Sequence, residues 1–141
     1  MTRIDFYVLE PGARDNRWSL ACRLAEKAWQ QGHRVLLHTD SPDEARHLDR
    51  LLWTFRDQGF VPHGLLGRAD PALNPVLIGH GEAAEEHDVL VNLSAAVPPF
   101  FSRFARLAEC VDDEPGARAA SRTRFRYYRD HGYPLQTHPI G

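Results

Sequence analysis

Residues 4–38 read IDFYVLEPGARDNRWSLACRLAEKAWQQGHRVLLH, and they predict a strand, a helix and a second strand in succession. Ile4–Leu9 is rich in apolar and β-favouring residues, which predicts a first strand ended by a proline–glycine pair. Asp15–Gln31 has apolar residues at helical spacing and is followed by Gly32, which predicts a helix. Arg34–His38 predicts a second strand that is apolar on both faces, as is typical of strands inside a helix-covered sheet.

The next segment predicts a second helix with a clear beginning. Ser41 is suited to cap it, Pro42 to occupy its first position, and Glu44 to complete a capping box. The helix is predicted to end near Phe55. Its buried stripe is predicted to consist of Ala45, Leu48, Leu52 and Phe55.

The remainder of the chain continues the alternation of strands and helices. We predict an extended stretch at Gly59–His63, a loop over Gly64–Pro75, strands at Val76–Gly79, Asp88–Leu93 and Leu107–Val111, a short helical segment from Pro98 to Arg106, and a final helix from Asp112–Glu114 to about His131. This pattern indicates a single-domain α/β layered fold over residues 1–141, with a mostly parallel sheet flanked by helices. We expect the tail Pro134–Gly141 to be loose.

Composition narrows the class of protein. The chain has 141 residues and a net charge of −2, so it is not an obvious nucleic-acid binder as a whole. Two cysteines without a CxxC pair fit a reducing compartment. The apolar run near the N-terminus is too short for a signal peptide or a membrane span. We therefore expect a cytoplasmic protein without a membrane contact.

Motifs for catalysis are missing from the sequence. The loop Glu10–Asp15 after the first strand has neither a P-loop nor a dinucleotide-binding glycine pattern, and the eight histidines lack the i,i+4 spacing of a zinc site. We therefore predict no catalytic residue, metal or cofactor. The alternative is a small nucleotide- or phosphate-binding enzyme on the same fold, and a nucleotide beside Pro11–Asp15 would favour it.

The final helix concentrates positive charge. It carries Arg118, Arg122, Arg124, Arg126 and Arg129, with no acidic residue between Ala117 and Arg129. On a helical wheel four of these arginines share about 100° with Phe125, while Arg124 falls on the opposite, core-facing side with Ala117, Ala120, Tyr127 and Tyr128. Arginines around an aromatic side chain suit an acidic peptide or phosphates. A solvated basic face and a direct single-stranded nucleic-acid binder are the alternatives.

A second feature is a pair of aromatic residues outside the apolar stripes. Trp53 lies off the buried stripe of the second helix, and Phe60 follows in the extended GFVPH stretch. Large aromatic side chains beside a polar face can anchor an interface. The alternative is that both are ordinary core residues.

These segments resemble the chi subunit family of bacterial DNA polymerase III over most of the chain. The resemblance is carried by Phe6–Leu9, by Leu24–Trp29 leading into Arg34–Leu36, by Leu52-Trp53 followed after six residues by Phe60–His63, by Asp88–Leu93, and by the basic-aromatic pattern Arg122–Gly132. The family usually has tyrosine where Phe125 stands.

The resemblance implies a fold similar to nucleotide-binding α/β proteins without their phosphate loop, and a non-catalytic subunit of the replicase. It implies binding to the psi subunit, which ties chi to the clamp loader, at Phe60 with Trp53 nearby. A repair helicase is implied as a competitor for that surface. It also implies binding to the acidic C-terminal tail of single-stranded-DNA-binding protein, so that contact with DNA is indirect. That tail site would consist of Val111, Arg118, Arg122, Phe125 and Arg126.

Overall fold

The computed structural model describes residues 1–54, 60–81 and 88–141, which contain seven strands and three α-helices. The elements are β1 (Arg3–Leu9), α1 (Arg17–Gln30), β2 (Val35–Thr39), α2 (Pro42–Thr54), β3 (His63–Leu65), β4 (Val76–His80), β5 (Val89–Asn92), β6 (Arg106–Val111), α3 (Ala117–Asp130) and β7 (Leu135–Ile140). The predicted end of the second helix at Phe55, and Gly59 at the start of the extended stretch, lie outside the described residues.

The strands form one sheet in the order β3-β4-β2-β5-β6-β1-β7. Each of the pairings among the described strands is parallel. Parallel neighbours need crossover connections, and α1 and α2 provide them for the first half of the chain. The prediction of an α/β layered fold with a mostly parallel sheet is therefore confirmed.

Two separate apolar clusters hold the layers together. On one face, α1 and α2 pack on the sheet through residues such as Ala25, Leu48 and Leu37. On the other face, α3 packs through Tyr128 against a cluster that includes Phe6. The sheet is thus covered by helices on both sides, which explains why β2 is buried along its whole length.

Local sequence signals fix two of the helix starts. Asn16 caps α1, its side-chain oxygen accepting a hydrogen bond from the Ser19 backbone N–H at 2.9 Å. Ser41 caps α2 in the predicted way, accepting from the Glu44 backbone N–H at 3.1 Å. The final helix begins later than predicted, because Gly116 adopts a left-handed conformation (φ +85°) immediately before Ala117.

Three predictions are wrong. The tail is not loose: Leu135–Ile140 forms β7, which pairs in parallel with β1 from Ile4↔Leu135 to Leu9↔Ile140. The predicted loop over Gly64–Pro75 begins within β3, which pairs with β4. The predicted helical segment from Pro98 to Arg106 contains only a short 3-10 turn at Phe101–Arg103. The two strand errors have one cause, since edge strands are stabilised by a distant neighbour that local sequence does not reveal.

Across the part of the chain that the structure describes, no helix is both long enough and apolar enough to span a membrane.

Candidate functional site

A groove runs along one flank of α3 where the helix meets the end of the sheet. It has a volume of about 200 Å³. Three strands and the helix contribute its lining, which consists of Phe6, Val8, Val111, Arg118, Ser121, Arg122, Phe125 and Thr137. The groove therefore brings together four of the five residues predicted for the acidic-tail site.

The inner part of the groove is apolar. Phe125 is half-buried and packs edge-to-face against Phe6, with ring centroids 5.3 Å apart. Val111, at the end of β6, is buried behind it. These aliphatic and aromatic surfaces form a slot that can accept an apolar side chain.

The outer part of the groove is basic. Arg118 donates a hydrogen bond from its guanidinium to the Leu9 carbonyl oxygen at 3.0 Å, which fixes one cation at the end of β1. Arg122 is exposed, and in the described part of the chain no carboxylate pairs with it. A fixed guanidinium beside an unpaired one can bind carboxylates bidentately.

The fifth predicted residue, Arg126, lies farther out. It is exposed, does not line the groove, and approaches the Thr123 hydroxyl at 3.4 Å. Its position on the next turn allows it to add positive potential at the rim, but the groove is formed without it.

A buried polar network holds α3 on the sheet. Glu109 of β6 is 0% exposed and accepts hydrogen bonds from Arg124 Nε at 3.0 Å, from the Tyr128 hydroxyl at 2.6 Å and from Asn92 Nδ2 at 3.0 Å. The Arg124 guanidinium also donates to the Ala95 carbonyl oxygen at 2.9 Å. Burial raises the pKa of Glu109, and Arg124 and the two neutral donors oppose that rise.

This network explains why Arg124 falls on the core-facing side of α3. Helical spacing predicted the arginine there without a partner, because Glu109 lies within the otherwise apolar run Leu107–Val111. Helical spacing also predicted Tyr127 in the core, which is wrong. Tyr127 is 41% exposed, and its ring stacks on His131 with centroids 4.1 Å apart. Arg124 and Tyr128 occupy the buried positions instead.

The second predicted surface lies at the far end of the sheet. Trp53 is 57% exposed and Phe60 is 55% exposed, and their ring centroids are 5.2 Å apart. The buried imidazole of His63 packs against Trp53 at 4.9 Å, and its Nε2 lies 3.1 Å from the Asp49 carbonyl oxygen. The interpretation of Trp53 and Phe60 as core residues is therefore wrong. They form an exposed aromatic pair, and the buried His63 ring supports Trp53 from beneath.

In nucleotide-binding proteins of this fold class a phosphate binds at the start of the first helix. Here side chains of the chain itself make the contacts at the start of α1. The backbone N–H of Ser19 in the first turn of α1 is bound by Asn16, and Asp15 accepts from the Ser19 hydroxyl at 3.0 Å and pairs with Arg23. A phosphate at the start of α1 would have to displace these contacts. These contacts lie where the nucleotide-binding alternative would need a phosphate.

The two cysteine thiols lie in buried environments. Burial raises the pKa of the Cys22 thiol to about 12 and also raises that of Cys110, so neither sulfur is a thiolate near neutral pH. Among residues 1–54, 60–81 and 88–141, no three His, Cys, Asp or Glu side chains are grouped to hold a metal ion.

Comparison with known proteins identifies the family. The model of the family described as DNA polymerase III chi subunit, HolC, matches residues 1–136. A protein named DNA polymerase III subunit chi from Pseudomonas aeruginosa is 47% identical over 141 residues, covering 99% of this chain and 98% of the relative. Proteins of the same name from Haemophilus influenzae and Escherichia coli are each 29% identical, with at least 96% of either chain covered. The chain therefore belongs to the family of DNA polymerase III chi subunits, which serve in DNA replication as accessory subunits of the polymerase complex and not as its catalytic subunit.

Proposed function

We propose that this chain is an adaptor with two binding surfaces. The groove beside α3 binds the acidic C-terminal tail of single-stranded-DNA-binding protein, and the aromatic pair Trp53 and Phe60 binds the psi subunit. The adaptor would thereby link the clamp loader to coated single-stranded DNA. The observation that carries this proposal is the groove, in which an apolar slot lies directly beside two arginines.

The groove suits a peptide that ends in an aromatic residue after several acidic ones. Burying a phenylalanine side chain contributes roughly 1.5–3 kcal/mol. Arg118 and Arg122 would meet the carboxylates at the mouth of the slot, while Val111 and Phe125 would receive the ring. Phenylalanine at position 125 keeps the apolar wall but lacks the hydroxyl of the family's usual tyrosine, whose hydrogen bond would contribute about 0.5–1.5 kcal/mol.

The aromatic pair suits a protein partner. Two large rings more than half exposed and in mutual contact are unusual on the surface of a free protein, and aromatic anchors dominate many interfaces. A psi-like apolar partner would cover them. A repair helicase that uses the same anchors would compete with psi.

The two surfaces lie on different elements. Trp53 belongs to α2, and Phe60 lies three residues before the start of β3, at one edge of the sheet. The groove lies at the other edge, between α3 and the strands β6, β1 and β7. An adaptor with this arrangement can hold both partners at once. In this proposal the protein contacts DNA through its partners.

The first prediction concerns Arg122. Replacing it with alanine should weaken binding of the acidic-tail peptide by at least about tenfold, because one charge-assisted hydrogen bond contributes about 1.5–3 kcal/mol. Thermal unfolding and psi binding should not change, since Arg122 is exposed and has no ion-pair partner in the described part of the chain. Isothermal titration calorimetry with a tail peptide measures the effect.

The matched control is Arg103→Ala, which removes an exposed arginine from the 3-10 turn away from the groove. It should leave the affinity for the peptide unchanged. Equal affinities of the wild type and the Arg122 variant would refute the assignment of the tail site to this groove.

A further inference from the structure

The ring of His63 contacts two carbonyl oxygens, one through each of its nitrogens. Nδ1 lies 2.6 Å from the Val61 carbonyl oxygen, and Nε2 lies 3.1 Å from the Asp49 carbonyl oxygen. A carbonyl oxygen can only accept a hydrogen bond, so each contact requires an N–H on the ring. A neutral imidazole carries one N–H, whereas the imidazolium cation carries two. Only the protonated ring can therefore donate both hydrogen bonds.

The surroundings of the ring compensate one positive charge. The side chain of His63 is 0% exposed, so bulk water does not reach it. The Asp49 carboxylate faces the ring from α2, with its Oδ1 3.5 Å from Nε2. Residues 60–62 and Val76, the neighbour of His63 in β4, contribute no titratable side chain. A cation at this position is thus hydrogen-bonded through both nitrogens and paired with one carboxylate, which a buried charge requires.

The same ring supports the exposed aromatic pair. Its centroid lies 4.9 Å from that of Trp53 and 6.3 Å from that of Phe60. Its hydrogen bonds reach the two segments that supply the pair, because Asp49 lies one helical turn before Trp53 and Val61 directly follows Phe60. A cation within about 6 Å of a tryptophan ring is also attracted to the face of that ring. A neutral His63 would lose one hydrogen bond and release one of the two segments.

We infer that His63 is a positioning residue that acts as an imidazolium, holding Trp53 and Phe60 in place so that partner binding weakens as pH rises. The inference rests on the function proposed above in taking psi as the partner. The direction follows from the hydrogen bonds, since the protonated ring donates two and the neutral ring donates one. Histidine side chains commonly change charge between about pH 5 and 8. The aromatic pair is therefore held more firmly on the acidic side of this range.

The charge of the ring is tested on the protein alone. Nitrogen-15 NMR of histidine side chains distinguishes an imidazolium, whose two nitrogens have similar chemical shifts, from a neutral ring, whose nitrogens differ widely. The signal that is missing from the His63→Gln variant belongs to His63. At about pH 6 we expect the imidazolium pattern for this residue. A neutral pattern at that pH would overturn the inference.

The effect on binding is tested by titrating the protein with psi at about pH 6 and about pH 8. The wild type should bind psi about tenfold more weakly at the higher pH, because one hydrogen bond that positions the aromatic pair is lost. His63→Gln should bind weakly at both pH values. Asp49→Asn keeps the carbonyl acceptor but removes the negative charge, so its affinity should fall at a lower pH than that of the wild type. The control is His131→Gln, which removes an exposed histidine from another surface and should keep the wild-type pH profile.

The controls separate His63 from groups on psi that also titrate. Equal dependence on pH in the wild type and in His63→Gln would assign the titrating group elsewhere and refute the inference, as would a wild-type affinity that is the same at both pH values. If His63→Gln does not fold, Asp49→Asn decides, and an unchanged pH profile in that variant would contradict the role of His63. If the wild type binds psi at neither pH, the proposed function fails, while the NMR pattern still decides the charge of the ring.

Discussion

Replacing Arg124 with leucine is expected to lower the free energy of unfolding by about 3–5 kcal/mol, because it leaves the fully buried Glu109 carboxylate without its cation. The carboxylate would keep the Tyr128 hydroxyl and the Asn92 amide as donors, but neither carries charge. The Ala95 carbonyl oxygen would lose its guanidinium donor as well. Chemical denaturation monitored by circular dichroism measures the effect.

The control for this prediction is on the same helix. Arg129→Ala removes an arginine whose ion pair with Asp130 is exposed on both sides, and such pairs contribute about 0–1 kcal/mol. Replacing Glu109 and Arg124 together with leucine should recover part of the loss, because no buried charge then remains unpaired. A loss for Arg124→Leu no larger than that for Arg129→Ala would contradict the structural role of the buried pair.

Removing the exposed aromatic pair is expected to abolish most of the psi affinity. Alanine at either Trp53 or Phe60 should weaken psi binding at least thirtyfold, since interface anchors of this kind contribute about 2 kcal/mol or more. Both rings are more than half exposed, so the variants should remain folded and should bind the tail peptide normally. Co-purification with psi, followed by calorimetry, measures the effect.

Tyr127→Ala serves as the matched control, because it removes an exposed aromatic ring from a different surface. It should leave psi binding unchanged. Variants of Trp53 and Phe60 that bind psi with wild-type affinity would refute the assignment of this surface.

Sequence patterns were sufficient to predict a strand or helix where the signal for it lies within that element. The capping residue Ser41 and the apolar runs of β1 and β2 predicted their elements because periodicity and caps act within one turn or strand. The strand β7 was missed because its residues, LQTHPI, lack an apolar alternation and owe their conformation to pairing with β1, more than 120 positions away in sequence.

The candidate site was predictable only in part, because some of its residues come from strands that are distant in sequence. Helical spacing grouped Arg118, Arg122 and Phe125, and the family resemblance added Val111. The contributions of Phe6, Val8 and Thr137 depend on which strands neighbour α3. The role of Arg124 depends on its ion pair with Glu109. Glu109 lies among apolar residues of β6, so helical spacing alone did not predict the pair. A single acidic residue in such a strand nevertheless indicates that a cation packs against it.

Titration of two acidic peptides at two salt concentrations tests whether the groove binds a tail through both charge and an apolar slot. One peptide ends in phenylalanine and the other lacks that residue. We expect that removing phenylalanine weakens binding at both salt concentrations by about 1.5–3 kcal/mol, because ring burial depends on apolar area. We also expect that raising the salt concentration weakens the binding of both peptides, because exposed arginines are screened over a Debye length of about 8 Å at physiological ionic strength. Equal binding of the two peptides at low salt would contradict the apolar slot. Binding of the full peptide that does not respond to salt would contradict the role of the arginines.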